Sequence, residues 1–260
     1  MTTTSTLPKI SLRGVGKRFD DFIALGSVDL DIADNEFVTV VGPSGCGKST
    51  LLNILAGLEE PTSGDALVEG RHVEGPGPER GVIFQQYALF PWLTVRQNVE
   101  FGLRTARVGK EERRRRADHY LELVGLKAFA DALPKTLSGG MKQRCAIARA
   151  YAADPAILLM DEPFGAVDAL TRVKLQEQLL DTWSAERRTV LFITHDVDEA
   201  VFLANRVIVM AAKPGRIQEI VDVDLPYPRT EDLRLSPEFT ALRNRVWSAV
   251  YSQGTPPASR

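Results

Sequence analysis

An α/β fold with a mostly parallel sheet is what this sequence predicts, and three observations carry the prediction. Short Val- and Ile-rich runs alternate with helical patterns along the chain. One of these runs, Phe37–Val41, enters a glycine-rich loop that opens into a helix. Another, Ile157-Leu-Leu-Met160, is followed at once by two acids. Strands that are apolar at consecutive positions suit burial on both faces of a parallel sheet. Alternation of strands with helices is the pattern that builds such a sheet.

Taken in order, strands are predicted at Glu36–Val41, Gly81–Phe84, Ala156–Met160, Val190–Thr194 and Arg206–Met210. Helices are predicted at Ser49–Ala56, Glu111–Val124, Met141–Ala153, Ala169–Ser184 and Val197–Ala204. Residues from about 92 to 140 hold no convincing strand and read as a helical sub-domain inserted into the α/β core. Their run Arg113–Arg116 could meet phosphate or acidic lipid, but Glu111, Glu112 and Asp118 make a solvated helix face the simpler reading. Pro214–Gly215 marks a turn, with Ile217–Val223 as the return strand of a hairpin. Pro226 and Pro228 break the chain. A last helix, about 236–252, starts with Ser236 at the N-cap, Pro237 at the first position and Glu238 in the first turn. Its residues Phe239, Leu242, Val246 and Val250 fall close to one face. The expected organisation is a single domain over 9–250, with a core of 9–91 and 141–225. The tails 1–8 and 253–260 are polar and expected to be flexible.

Composition bounds the function. The chain has 260 residues, with 32 basic and 34 acidic side chains and a net charge of -2. That balance gives no electrostatic case for nucleic-acid binding. Two cysteines, Cys46 and Cys145, cannot build a disulfide framework, and the chain reads as intracellular. No apolar run approaches the roughly 18 residues of a membrane span. The Thr/Ser-rich start lacks the features of a secretory signal. Contact with a membrane would therefore come through a partner.

Gly42-Pro43-Ser44-Gly45-Cys46-Gly47-Lys48-Ser49-Thr50 contains the pattern G-x-x-x-x-G-K-[ST]. Chance alone should produce it in roughly one chain in a hundred of this length. The entering strand and the following helix make it a phosphate-binding loop. Glycines let backbone N–H groups converge on phosphate oxygens, and the helix start adds its positive dipole end. Lys48 offers an ammonium to the β- and γ-phosphates, and Ser49 a hydroxyl to Mg²⁺. Cys46 is read as a small residue that fits the loop.

The two acids after the buried strand are Asp161 and Glu162. They stand at the carboxyl edge of the sheet, where open α/β folds bind ligands. Asp161 can hold Mg²⁺, and Glu162 can take a proton from an attacking water. Leu137-Ser138-Gly139-Gly140 begins a further helix and offers a second anion site. One nucleotide rarely needs two such sites from one chain, so this one is expected to serve a nucleotide held by another copy.

In these motifs and their order, the chain resembles the ATP-binding subunits of ABC transporters from about residue 9 to 250. Leu137–Gly140 is similar to the family signature L-S-G-G-Q, with Met141 where glutamine is usual. The resemblance implies a P-loop NTPase with an N-terminal antiparallel β region and the inserted helical sub-domain. It implies that Phe19 stacks on adenine. It further implies that Gln85, preferred over Gln86, touches Mg²⁺ or the attacking water. Asp168 of Ala166-Val-Asp168 would cross the dimer seam, and His195 of Thr194-His195-Asp196 would read the γ-phosphate. His72 and His119 carry no functional expectation.

The segments Val73–Gly81, Phe90-Pro-Trp92, Lys213–Ile217 and Asp224–Arg229 resemble the nitrate/sulfonate/taurine importer subfamily. The implied protein hydrolyses ATP with Mg²⁺ and pairs head to tail with a second copy. It would serve two transmembrane permease subunits at the cytoplasmic face of the inner membrane. An extracytoplasmic solute-binding protein would deliver the solute, and nucleic acid would play no part. The rivals are a non-transport ABC ATPase, an exporter subunit, and a regulatory module that binds ATP without turnover.

Overall fold

The computed structural model describes residues 7–85, 88–165 and 167–251. The elements, in chain order, are β1 (Ile10–Phe19), β2 (Phe22–Ile32), β3 (Phe37–Val41), α1 (Lys48–Ala56), β4 (Ser63–Val68), β5 (Arg71–His72) and β6 (Arg80–Ile83). They continue with α2 (Val95–Thr105), α3 (Lys110–Leu123), α4 (Gly139–Ala152), β7 (Ile157–Asp161), α5 (Ala169–Glu186) and β8 (Thr189–Ile193). The last are α6 (Val197–Leu203), β9 (Arg206–Ala211), β10 (Arg216–Asp222) and α7 (Pro237–Tyr251). The chain divides into two compact units, one of residues 1–77 with 188–260 and the other of residues 78–187.

In the first unit, β3 pairs in parallel with β8 on one side and β9 on the other, and β10 returns antiparallel to β9. All five residues of β3 and of β8 are buried. This is why both read as unbroken apolar runs rather than alternating ones. Phe37 meets Phe192 with ring centroids 6.0 Å apart. Burial of each such ring contributes about 1.5–3 kcal/mol. Strands β2, β1, β4 and β5 form a separate antiparallel sheet in that order.

Helix α7 starts as its sequence signals, with the Phe239 N–H donating to Ser236 Oγ at 3.1 Å. Phe239, Val246 and Ala249 are its buried residues. Arg229 is buried, and its guanidinium donates to the carbonyls of Val201, Phe202 and Ala204 at the end of α6 and to Leu225. A cation there meets the negative end of the helix and closes its last turn.

The second unit holds the parallel pair β6–β7 and helices α2–α5. Helix α4 is buried on several faces, packing against α2 and α3 as well as β6, and so joins these elements into one body. The arginine run lies on α3, where Arg115 and Arg116 bond Glu112. Those bonds hold the Glu112 carboxyl down at about 2. Arg113 caps Val108 O.

A further device escaped sequence reading. Asn98 is fully buried. Its Nδ2 donates to the carbonyls of Phe90, Leu93 and Thr94, and its Oδ1 accepts from the Phe90 N–H. The turn from Phe90 to Leu93 is thereby pinned, and Trp92 stands on it 73% exposed.

Candidate functional site

The glycine-rich loop leaves the buried end of β3, and α1 begins at Lys48 with Gly47 as its N-cap at φ 90°. Ser44 and Gly45 are exposed at the front of the loop, while Cys46 is buried behind it. Burial pushes the Cys46 thiol up, away from the reactive thiolate. Lys48 is only 8% exposed. Its Nζ donates to the carbonyls of Gly42 at 2.8 Å and Pro43 at 3.2 Å. The ammonium thus folds back on its own loop, inside the ring of backbone that a phosphate would enter. Ser49 is exposed and Thr50 half-buried on the first turn.

The glycines of the loop differ in what they do. A Cβ on Gly45 would meet nothing within 4 Å, although its φ of +76° is left-handed. A Cβ on Gly47 would lie 2.4 Å from Leu25 Cδ2 and 2.9 Å from Ala24 O. Gly42 is as crowded, with Met210 O 2.5 Å from the same imagined atom.

Two further predicted residues lie in this unit. Strand β8 runs beside β3 with Val40 opposite Ile193, so His195 leaves the same carboxyl edge as the loop. His195 is exposed. Thr194 Oγ1 accepts from the Asp196 N–H, and Asp196 caps α6 by accepting from the Glu199 N–H at 3.1 Å. Phe19 ends β1 opposite Phe22 and is 41% exposed, with Lys17 Nζ 4.9 Å over its ring. Lys17 also reaches Glu60 O and Glu59, beyond α1.

In the other unit, β6 and β7 run in parallel with Ile83 opposite Met160. Gln85 and Asp161 therefore leave one edge together. Gln85 is exposed, and Asp161 and Glu162 are half-buried. Glu162 adopts a left-handed φ of 43°, which for a residue with a side chain costs about 1–3 kcal/mol. Its carbonyl accepts from the Gly165 N–H at 3.0 Å. The alternative Gln86 lies outside the described residues, as does Ala166.

Ser138 caps α4, its Oγ accepting from the Met141 N–H at 3.3 Å. The amides of Gly139 and Gly140 belong to the first turn and have no intrahelical partner. Met141 enters this cap through its backbone, a bond that a glutamine in its place would also make. Asp168 caps α5, accepting from the Thr171 N–H at 3.0 Å, and that bond lowers its carboxyl below the usual range. Thr171 also crowds Gly140, where a Cβ would lie 2.8 Å from its Cγ2. One residue thus ties the Ser-Gly-Gly helix start to the Asp168 turn.

In the first unit, the glycine-rich loop and the Ser49 hydroxyl are groups of the kind a phosphate and a hard cation take. In the second, the Asp161 carboxylate and the Gln85 amide are oxygen donors of the kind Mg²⁺ takes. Among the described residues, no three or more His, Cys, Asp or Glu cluster in a way that could hold a metal ion. No described helix is long and apolar enough to cross a membrane. Sequence reading missed Gly215 and Arg229 as structural contributors, because both sit in segments that read as turn and loop.

Comparison with known proteins gives one answer at three levels. Residues 25–165 match the family described as ABC transporter. A Brucella abortus (strain 2308) protein named for ATP binding is 74% identical over 246 residues, 95% of each chain. The nitrate import ATP-binding protein NrtD of Synechocystis is 49% identical, over 93% of this chain and 92% of the relative. The aliphatic sulfonates import ATP-binding protein SsuB of Bacillus subtilis is 47% identical over 86% of each. Among solved structures, the dimeric post-hydrolysis state of the ATP-binding cassette MJ0796 bound to ADP and Pi superposes with a TM-score of 0.73. It is 35% identical, over 84% of this chain and all of that one.

The loop geometry makes a prediction about its glycines. Left-handed backbone costs a residue with a Cβ about 1–2 kcal/mol, and overpacking adds about 1–3 kcal/mol. Gly45→Ala should show the first cost alone and Gly47→Ala both. Urea unfolding midpoints of the two variants would separate them; equal midpoints would contradict the crowding at Gly47.

Proposed function

The chain belongs to the ABC transporter family, and from that premise we propose that it is the ATP-hydrolysing subunit of an importer for a small oxyanion, nitrate or a sulfonate such as taurine. The observation that carries the ATPase reading is the phosphate loop with Lys48 folded onto the carbonyls of Gly42 and Pro43. The names of the nitrate and sulfonate relatives support the solute class.

In this reading Lys48 turns from its own carbonyls to the β- and γ-phosphates, and the loop amides hold their oxygens. Phe19 stacks on adenine. Ser49, Asp161 and Gln85 are the residues that would hold Mg²⁺, which when bound would neutralise charge on the triphosphate. Glu162 takes the proton of a water as its oxygen bonds to the γ-phosphorus. The bond from that phosphorus to the bridging oxygen breaks, and ADP leaves with the electron pair. His195 stabilises the γ-phosphate oxygens.

Two copies pair head to tail. The Ser138–Gly140 helix start of the second copy donates its amides to the same γ-phosphate, and Asp168 lies at the seam. The dimeric state of the neighbour bound to ADP and Pi supports pairing of two copies. Two membrane permeases receive the resulting motion at the cytoplasmic face of the inner membrane. A solute-binding protein outside supplies the anion, which never touches this chain.

Three measurements test the reading. Glu162→Gln should retain ATP binding, cut hydrolysis by about a hundredfold or more, and trap a dimer visible by size-exclusion chromatography. Normal turnover by that variant in the assembled transporter would remove Glu162 from its role. Lys48→Ala should weaken MgATP binding by at least tenfold in calorimetry, and unchanged affinity would remove the phosphate-loop assignment. In proteoliposomes with the permeases and binding protein, nitrate or an alkanesulfonate should stimulate ATP hydrolysis. Stimulation by a sugar or a cation instead would overturn the solute class.

A further inference from the structure

We infer that the turn between β9 and β10 is a positioning element for the phosphate loop, and that nucleotide affinity depends on residue 215 having no side chain. The inference rests on the reading of residues 42–49 as the phosphate-binding loop.

The turn is anchored to β2 rather than left in solvent. The Gly215 N–H donates to Ala24 O at 3.2 Å, and the Gly26 N–H donates to Gly215 O at 2.7 Å. Leu25 and Gly215 form a parallel bridge. From this fixed place Gly215 presses against the loop. A Cβ on it would lie 2.3 Å from Cys46 O and 2.6 Å from Ala24 O. The same hairpin meets the start of the loop as well, through Met210 O beside Gly42. Residues 24 and 25 of β2 crowd its far end at Gly47. The hairpin and β2 therefore back the loop at Gly42, Cys46 and Gly47: backbone carbonyls of Met210 and Ala24 face the glycines at 42 and 47, the Leu25 side chain adds to the contact at Gly47, and Gly215 meets Cys46 O directly.

The side that would yield to a methyl group follows from what holds each part. The hairpin is fixed by its ladder, with Arg216 opposite Ala211 and Ile217 opposite Met210, and by the two bonds to β2. The loop front, Ser44 and Gly45, is exposed. An added Cβ would displace the Cys46 carbonyl by about 1 Å to reach ordinary contact, and the amides beside it would move with it. Misplacement of about that size can cost a hundredfold where donors must converge on one group.

The test uses the full chain, with MgADP as the probe so that no turnover intervenes. Gly215→Ala should raise the dissociation constant for MgADP at least tenfold, about 1.4 kcal/mol. Gly109→Ala, at an exposed position where a Cβ meets nothing within 4 Å, should leave it unchanged. A lowered melting midpoint with an unchanged dissociation constant would make Gly215 merely structural and overturn the inference. Lys48→Ala runs alongside. If the natural chain does not bind MgADP, or Lys48→Ala binds it equally well, the phosphate-loop reading itself falls and takes the inference with it. Should Gly215→Ala fail to fold, hydrogen exchange on the natural chain decides. The Gly26 and Gly215 amides should gain protection when MgADP binds, and unchanged exchange at both would overturn the inference.

Discussion

Close approach to backbone at three glycines is the constraint on which the first unit depends. Behind residues 42–47 the β9–β10 hairpin and the middle of β2 come within a distance that only glycine tolerates at positions 42, 47 and 215. The loop can then curl over this backing, closed by the Cys46 N–H on Pro43 O and by the Lys48 ammonium on the Gly42 and Pro43 carbonyls. The parallel pairing of β3 with β8 and β9 supplies the rest. It sets the loop and His195 at one edge, and it buries the strands so fully that the edge has little freedom to drift.

The second unit reaches a comparable result by capping. Ser138, Asp168 and Thr94 each begin a helix by accepting a backbone N–H with a short oxygen side chain. Thr171 joins two of these starts, since its amide caps with Asp168 while its methyl abuts Gly140. The small residue at 140 is thus explained twice, by its place in the first turn of a helix and by the close neighbour. Glu162 shares its left-handed backbone with Ala88, Arg107, Asp154 and Arg187 of the same unit, so the conformation alone does not single it out.

Much of this was legible in the sequence, for physical reasons. Fully buried strands have one composition, and β3, β7, β8 and β9 fell within a residue or two of their predicted spans. Loop, acids and Ser-Gly-Gly start are local patterns whose chemistry needs fixed spacing. The ends of β1 and β2 were harder to read, because their exposed hairpin carries Phe19, Phe22 and Ile23 beside Asp20 and Asp21 and follows no clean alternation. Helix α2 was missed although Thr94 and Gln97 form a complete capping box; Pro91 before it and Gly102 within it blurred the period. Gly215 and Arg229 lay beyond local reading altogether. What makes each necessary is a partner far away in the chain: Cys46 and Ala24 for one, the carbonyls closing α6 for the other.

The folded-back lysine has a consequence for selectivity among anions. With Lys48 seated on the Gly42 and Pro43 carbonyls, those two oxygens compete with any oxyanion for its ammonium. An oxyanion that engages Lys48 must draw it away from both. A lone inorganic phosphate offers one group against two carbonyls already in place, whereas a nucleotide brings a chain of phosphates and an aromatic base that binds elsewhere. The two carbonyls thus set a threshold that favours a ligand presenting many phosphate oxygens over one presenting few.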